Sequence, residues 1–274
     1  MDFDIKKRQQ FLTEDYYKSA YDFYIEDVDF WKESDTFEDD QYNCGEDKRW
    51  MLITHDYSFL LYLVYTAGKP IEELIPFFEK TIEGYEKQSE ALAIFHKSKK
   101  PSIITDIGQM LSIIGLAYLL NRRDLLSRII TLINGEKGGR LIEDAITSRF
   151  LHINDSHHPI QDYEGDETLY IGSHAEWCQV LDAVNDGENK EKAIQYLDEY
   201  LSDWYQMNKF ELWYNSHLEP AEELKYCGYW AFEVAAMVYF LDLDDSSLHR
   251  HLFYPKDIVQ WIRNQTKSTN TNDG

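Results

Sequence analysis

The sequence predicts an all-α protein: an irregular bundle of stacked antiparallel helical hairpins, arranged as two helical modules packed together. Three observations predict it. Apolar residues recur at steps of three and four along most of the chain. Alternating apolar and polar runs, the mark of half-buried strands, are scarce, and no strand–helix–strand rhythm emerges. No fixed repeat period is present, which disfavours a regular solenoid.

In chain order, Ile53, Tyr57, Leu60, Leu61 and Val64 share one helical face. Gly68 supplies a stop and Pro70 a restart, the usual asymmetry between helix ends. Ile71, Leu74, Ile75, Phe78, Ile82 and Tyr85 make the next stripe, inside which Pro76 marks a kink or a late helix start. Asp106 is placed to cap Ile107 to Leu120, a segment apolar on nearly every side and therefore expected at the centre of a core. Leu126, Ile129, Ile130 and Ile133 form a face before the loop Gly135 to Gly139, and Ile142, Ala145, Ile146 and Phe150 follow. Trp177, Cys178 and Leu181 predict a short helix, and Ala193, Leu197, Tyr200, Leu201 and Trp204 a longer one. Pro220 reads as a first-turn residue with Glu222 and Glu223 behind it. Trp230, Val234, Met237, Val238 and Leu241 line a further face, and Pro255 opens a last helix carrying Ile258, Val259 and Ile262. The modules are expected at residues 1–120 and 121–265, with a polar, disordered tail over 266–274.

Composition narrows the function. The 274 residues carry 50 Asp and Glu against 27 Lys and Arg, a formal charge of −23, and 43% are hydrophobic. That is enough apolar surface for a core, and a field that repels phosphates, so nucleic acid is not an expected partner. A basic protein is, because an acidic surface steers it. Three cysteines, Cys44, Cys178 and Cys227, make no disulfide framework and fit a reducing cytosol. The N-terminus MDFDIKKRQQF lacks the apolar core of a signal peptide. The longest apolar runs, Met110 to Leu120 and Tyr226 to Leu241, are too short or too interrupted to span a bilayer. No membrane association and no cofactor are expected.

Candidate chemistry is sparse. His55-Asp56 resembles the metal-binding dipeptide of HD-type phosphohydrolases, but that site needs a His upstream and residues 1–54 hold none. His152, Asp155, His157, His158 and Asp162 are donor types for a divalent metal in a spacing that matches no metal motif. A metal-dependent hydrolase built on that cluster is one alternative function, and an acidic helical scaffold for another basic protein is a second. Cys178 lies one helical turn from His174, a conceivable nucleophile–base pair, though a core thiol beside Trp177 and Leu181 is the simpler account. Glu233 faces the core side of its helix, where an acid must be paired or protonated; an ion pair with a neighbouring helix is the expectation.

Two acidic runs stand out. Asp35, Glu38, Asp39, Asp40, Glu46 and Asp47 lie in a stretch without Lys or Arg, and so do Asp162, Tyr163, Glu164, Asp166 and Glu167. With Phe37, Tyr42 and Tyr163 interleaved, both read as docking surface for a basic protein, aromatics anchoring and carboxylates steering.

The C-terminal third carries a specific pattern: Trp204-Tyr205, Trp213-Tyr214-Asn215-Ser216-His217, Gly228-Tyr229-Trp230-Ala231-Phe232-Glu233, Asp242 to Leu248, and Tyr254-Pro255-Lys256-Asp257. In this order they resemble the PoNi-type immunity proteins, bacterial antitoxins that neutralise PoNe-type DNase toxins delivered by type VI and other secretion systems. His55-Asp56-Tyr57-Ser58, Tyr65-Thr66-Ala67-Gly68 and Ile71-Glu72-Glu73-Leu74 match the family's first module more loosely. The resemblance implies an antitoxin that binds a cognate DNase, without catalysis of its own. Trp213, Tyr229, Trp230, Glu233, Asp245 and Pro255 form the signature and are expected to serve the scaffold: rings for packing, Asp245 as a helix cap, Pro255 as a helix start. The acidic loops are then the expected site of toxin contact, since cognate specificity needs surface that differs between pairs.

Overall fold

The computed structural model describes residues 3–34, 37–41, 44–136, 148, 152, 156–157, 183 and 189–270. Every regular element among them is helical: α1 (Phe3–Lys6), α2 (Glu14–Glu33), α3 (Gly45–Thr66), α4 (Ile75–Phe95), α5 (Ile107–Leu119), α6 (Leu126–Asn134), α7 (Lys190–Met207), α8 (Phe232–Phe240) and α9 (Lys256–Asn270), with short 3-10 turns between. The all-α expectation holds. None of these helices is long and apolar enough to cross a membrane. The helices expected around Ile142 to Phe150 and Trp177 to Leu181 lie outside the described residues.

The chain forms two compact units that interleave along the sequence: residues 1–104, 128–139 and 211–229 make one, and 105–127, 140–210 and 230–274 the other. The expected division at 1–120 and 121–265 is a consecutive one.

In the first unit α3 packs between α2 and α4. Thr13 caps α2, its hydroxyl accepting from the Tyr16 amide at 3.3 Å. Pro76 stands in the first turn of α4, a late start rather than a kink. At Gly84 a Cβ would collide with the Thr54 hydroxyl, so glycine lets α3 and α4 approach. Gly68, at φ +74°, stops α3. The exposed carbonyls at that end meet Arg8, whose guanidinium reaches the Tyr65 oxygen (2.5 Å) and the Lys69 oxygen (3.1 Å) while lying over the Tyr65 ring.

Gln9 is one of several side chains that hold segment 211–229 in this unit. Gln9 is buried; its amide NH2 donates to the Tyr229 carbonyl (2.6 Å) and its oxygen accepts from the Tyr229 amide (3.0 Å) and the Tyr226 hydroxyl (2.6 Å). Gln9 thus completes the backbone pairing that an extended segment needs when buried. This corrects one expectation: Trp230 is buried but precedes α8, which begins at Phe232. Gly228 at φ +117° and the bonds at Tyr229 keep the chain extended there, and the Ala231 amide is spent on the Phe253 carbonyl at 2.9 Å.

In the second unit α5 is the buried central helix the sequence predicts, with Met110, Leu111, Ile114, Ala117 and Leu119 all inaccessible. Asp106 caps it, accepting from the Gln109 amide at 2.8 Å. α5 crosses α8 at Gly115, where a Cβ would sit 3.1 Å from that of Ala236. α7 buries Ala193, Leu197, Tyr200, Leu201 and Trp204, the predicted face. Tyr254 and Pro255 lead into α9, which runs on to Asn270, beyond the point where a tail is expected. The Thr266 hydroxyl donates to the Ile262 carbonyl (2.8 Å) within that added turn.

Candidate partner-binding surface

The first acidic run follows α2, and short-range bonds shape it. Phe37 stacks on Trp31 at 5.2 Å, and Trp31 in turn donates to Asp27 at 3.0 Å. A Cβ at Gly45 would collide with the Phe37 carbonyl, so the chain returns close upon itself at the start of α3. Asp39 accepts from the Gly45 amide at 2.8 Å and thereby caps α3, a job that Cys44 at the N-cap leaves undone. Glu46 accepts from Arg49 and from the Trp50 indole (2.7 Å). Asp47 is half-buried, and burial raises its pKa against a hydrogen bond from Gln88. Glu38 and Asp40 are exposed. Asp39 and Glu46 thus make local bonds while remaining exposed like Glu38 and Asp40, and Asp47 alone of the described carboxylates in the run is half-buried. Asp35 lies outside the described residues, as do Asp162, Tyr163, Glu164, Asp166 and Glu167.

Sequence reasoning missed α2, which extends this acidic surface. Asp22, Glu26, Asp29 and Glu33 recur at steps of four, three and four, and all are exposed. Phe23 and Phe30 are about half exposed on the same helix. The spacing was available in the sequence; the apolar positions opposite it, Ala20, Tyr24 and Val28, were too few to announce a helix.

The other candidates resolve as follows. Asp56 is buried and bonds the His55 ring nitrogen Nδ1 at 3.1 Å; burial pushes its carboxyl up to about 6, with His55 offsetting part. Among the described residues no group of three or more His, Cys, Asp or Glu is placed to hold a metal. Of the cluster His152 to Asp162 only His152 and His157 are described; Asp155, His158 and Asp162 are not, nor are His174 and Cys178.

The signature residues serve packing and buried polar bonding. Trp213 packs on Tyr229 at 5.5 Å. The Tyr229 hydroxyl is shared by the His217 amide (3.0 Å), the His217 ring (2.8 Å) and the Ser216 hydroxyl (3.2 Å). Glu233 is 2% exposed, and among the described residues its partners are neutral donors rather than the cation of the expected ion pair. Its partners are the Trp204 indole (2.8 Å), the Tyr200 hydroxyl (3.1 Å) and, more distantly, the Ser112 hydroxyl (3.5 Å). Burial pushes its carboxyl up to about 7, which these donors only partly offset. Asp245 is not the expected side-chain cap: its oxygens take the Tyr254 hydroxyl (2.7 Å) and the Arg263 guanidinium (2.8 Å). Asp244 does the capping, accepting from the Ser246 amide at 3.1 Å.

Residues 143–258 match the family model for the C-terminal region of PoNe immunity proteins (PoNi). By that match this region of the chain is similar to the C-terminal region of the PoNi-type immunity proteins. The matched span holds Glu233, Asp245 and their donors Tyr200, Trp204 and Tyr254, while the donors Ser112 and Arg263 lie outside it. The fold is similar to that of the crystal structure of protein PA2201 from Pseudomonas aeruginosa, at a TM-score of 0.66 and 16% identity, covering 95% of this chain and 92% of that one. No curated protein matches the sequence.

Proposed function

We propose that the chain silences a PoNe-type nuclease effector by covering the effector's basic, nucleic-acid-binding surface with its own carboxylates. The match to PoNe immunity proteins carries the reading, and the charge of −23 supplies a physical means. A nuclease that grips a polyanion presents cationic side chains; an acidic protein competes for them directly and needs no catalytic group. The contact residues proposed are Asp35, Glu38, Asp39, Asp40, Glu46 and Asp47, with Asp162, Tyr163, Glu164, Asp166 and Glu167. Of the described ones, Glu38, Asp39, Asp40 and Glu46 are exposed and available for intermolecular steering, Asp39 and Glu46 while also bonding locally.

The test is co-expression with the nuclease encoded beside this gene, followed by stopped-flow association at rising salt. Cells are expected to survive with intact DNA, and the association rate constant to fall at least tenfold as salt screens the approach. The charge-reversed variant Glu38→Lys/Asp40→Lys, which spares the Asp39 cap, is expected to slow association further. Degraded DNA despite abundant folded protein overturns the function, and a salt-independent on-rate overturns the electrostatic mechanism.

A further inference from the structure

Segment 211–224 combines two features that rarely coincide: it is clamped from beneath, and it holds large apolar side chains out in water. Leu212 is 101% exposed and Leu218 70%. They flank the turn Trp213–His217, which hangs on the Tyr229 hydroxyl through the three bonds given above. Phe11 packs against the His217 ring at 4.2 Å, and the Tyr24 hydroxyl holds the Leu224 carbonyl at 3.2 Å. Asn215 and Leu224 adopt left-handed backbone, φ 60° and 50°, a conformation that persists only where surroundings hold it. A loop so restrained loses little entropy on docking. Exposed leucines on a restrained backbone are costly for a lone protein and useful to a partner.

Charge identifies that partner. Glu211, Glu219, Glu222 and Glu223 are all exposed in this segment, which contains no Lys or Arg. Its His217 has a pKa lowered by desolvation and stays neutral at pH 7. A second copy of this chain would bring like charge to like charge. Glu223 pairs with Lys225 just beyond the segment at 3.2 Å. A cationic protein surface would find apolar anchors in a segment that also carries the exposed carboxylates Glu211, Glu219 and Glu222, as an interface with an apolar centre and a polar rim requires.

We infer that segment 211–224 is a preformed docking element whose Leu212 and Leu218 seat in apolar recesses of a basic protein surface. This rests on the immunity reading, the surface being that of the nuclease effector, and it adds residues of a different kind: the leucines hold the complex after the carboxylates have steered it.

Binding of the full chain to the effector, measured for the wild type and for Leu212→Ser/Leu218→Ser, tests this. Both positions are exposed, so the variant is expected to keep the wild-type circular dichroism and melting temperature. Its dissociation rate constant is expected to rise on the order of a hundredfold while the association rate constant and its salt slope stay within threefold. Leu212→Met/Leu218→Met, which keeps the apolar contact, is expected to dissociate nearly as slowly as wild type. If the wild type binds and the serine variant dissociates at the same rate, the docking element is wrong and the immunity function stands. If the wild type does not bind, both fall. If the wild type alone sediments as a dimer that the serine variant abolishes, the leucines cover a second copy and the inference is overturned.

Discussion

Glu233 and Asp245 are both buried carboxyls of the second unit, and the surroundings give them opposite characters. At Asp245 burial works to raise the pKa, but the Tyr254 hydroxyl, the Arg263 hydrogen bond and the Arg263 charge outweigh it, so the pKa is lowered and the group is ionised at neutral pH. At Glu233 the same burial wins, the side-chain donors facing it among the described residues all being neutral. One guanidinium separates an ionised acid from one that is half protonated near pH 7. Hydrogen bonds from neutral donors favour the ionised form at both sites, but only at Asp245, where a guanidinium adds its charge to them, do they outweigh burial.

The sharpest way to break this contrast is to remove the cation. Arg263→Met deprives Asp245 and the Leu243 carbonyl of their donor (2.8 and 2.5 Å). It is expected to cost about 3 kcal/mol in urea unfolding, because a buried charge loses its guanidinium and keeps only the Tyr254 hydroxyl and the His249 ring. Adding Asp245→Asn is expected to recover part of the loss, and a strictly additive double variant contradicts the pairing.

Next comes pH. Unfolded, Glu233 titrates near 4.5; folded, at about 7. The folded state therefore keeps a proton that the unfolded state releases, so this group's contribution to stability falls as pH rises from 4.5 to 7 and is level above. The change is about 3 kcal/mol. Glu233→Gln is expected to flatten that slope in urea titrations at successive pH values. Asp245 acts with the other sign: its contribution is fully present above pH 3.8 and is lost as pH falls through its lower folded value. An unchanged slope in Glu233→Gln would mean that Glu233 is ionised in the fold.

Smaller effects refine the picture. Trp204→Phe removes one donor from Glu233 and is expected to cost about 1 kcal/mol while moving its titration further upward, visible as a shifted pH midpoint. Asp244→Ala removes the cap on the Ser246 amide and is expected to lower the melting temperature less than Trp204→Phe does. A larger loss would make Asp244 more than a surface cap.

The legible and illegible parts divide on range. Asp106 capping α5 was readable because acceptor and donor lie within one turn. So was the buried face of α7, because helix geometry alone brings Ala193, Leu197, Tyr200 and Trp204 together. Asp245 was misread as a cap for the same reason: the local rule fits it, and its true partners come from Tyr254 and Arg263 beyond the next turn. The acidic run was visible as charge, but the capping of α3 by Asp39 and the bonds of Glu46 were not. Leu212 and Leu218 passed unnoticed since nothing in a leucine's neighbours announces that it points to water.

By itself, then, the sequence determined the helical class, most of the faces that turn inward and the sign of the molecule's field, because periodicity and net charge are properties of a chain without regard to its path. The tertiary structure decided which acids remain charged, that Gln9 pins Tyr229, and which carboxylates and leucines stay in solvent. Those outcomes depend on groups distant along the chain arriving within about 3 Å of one another, and only packing brings them there.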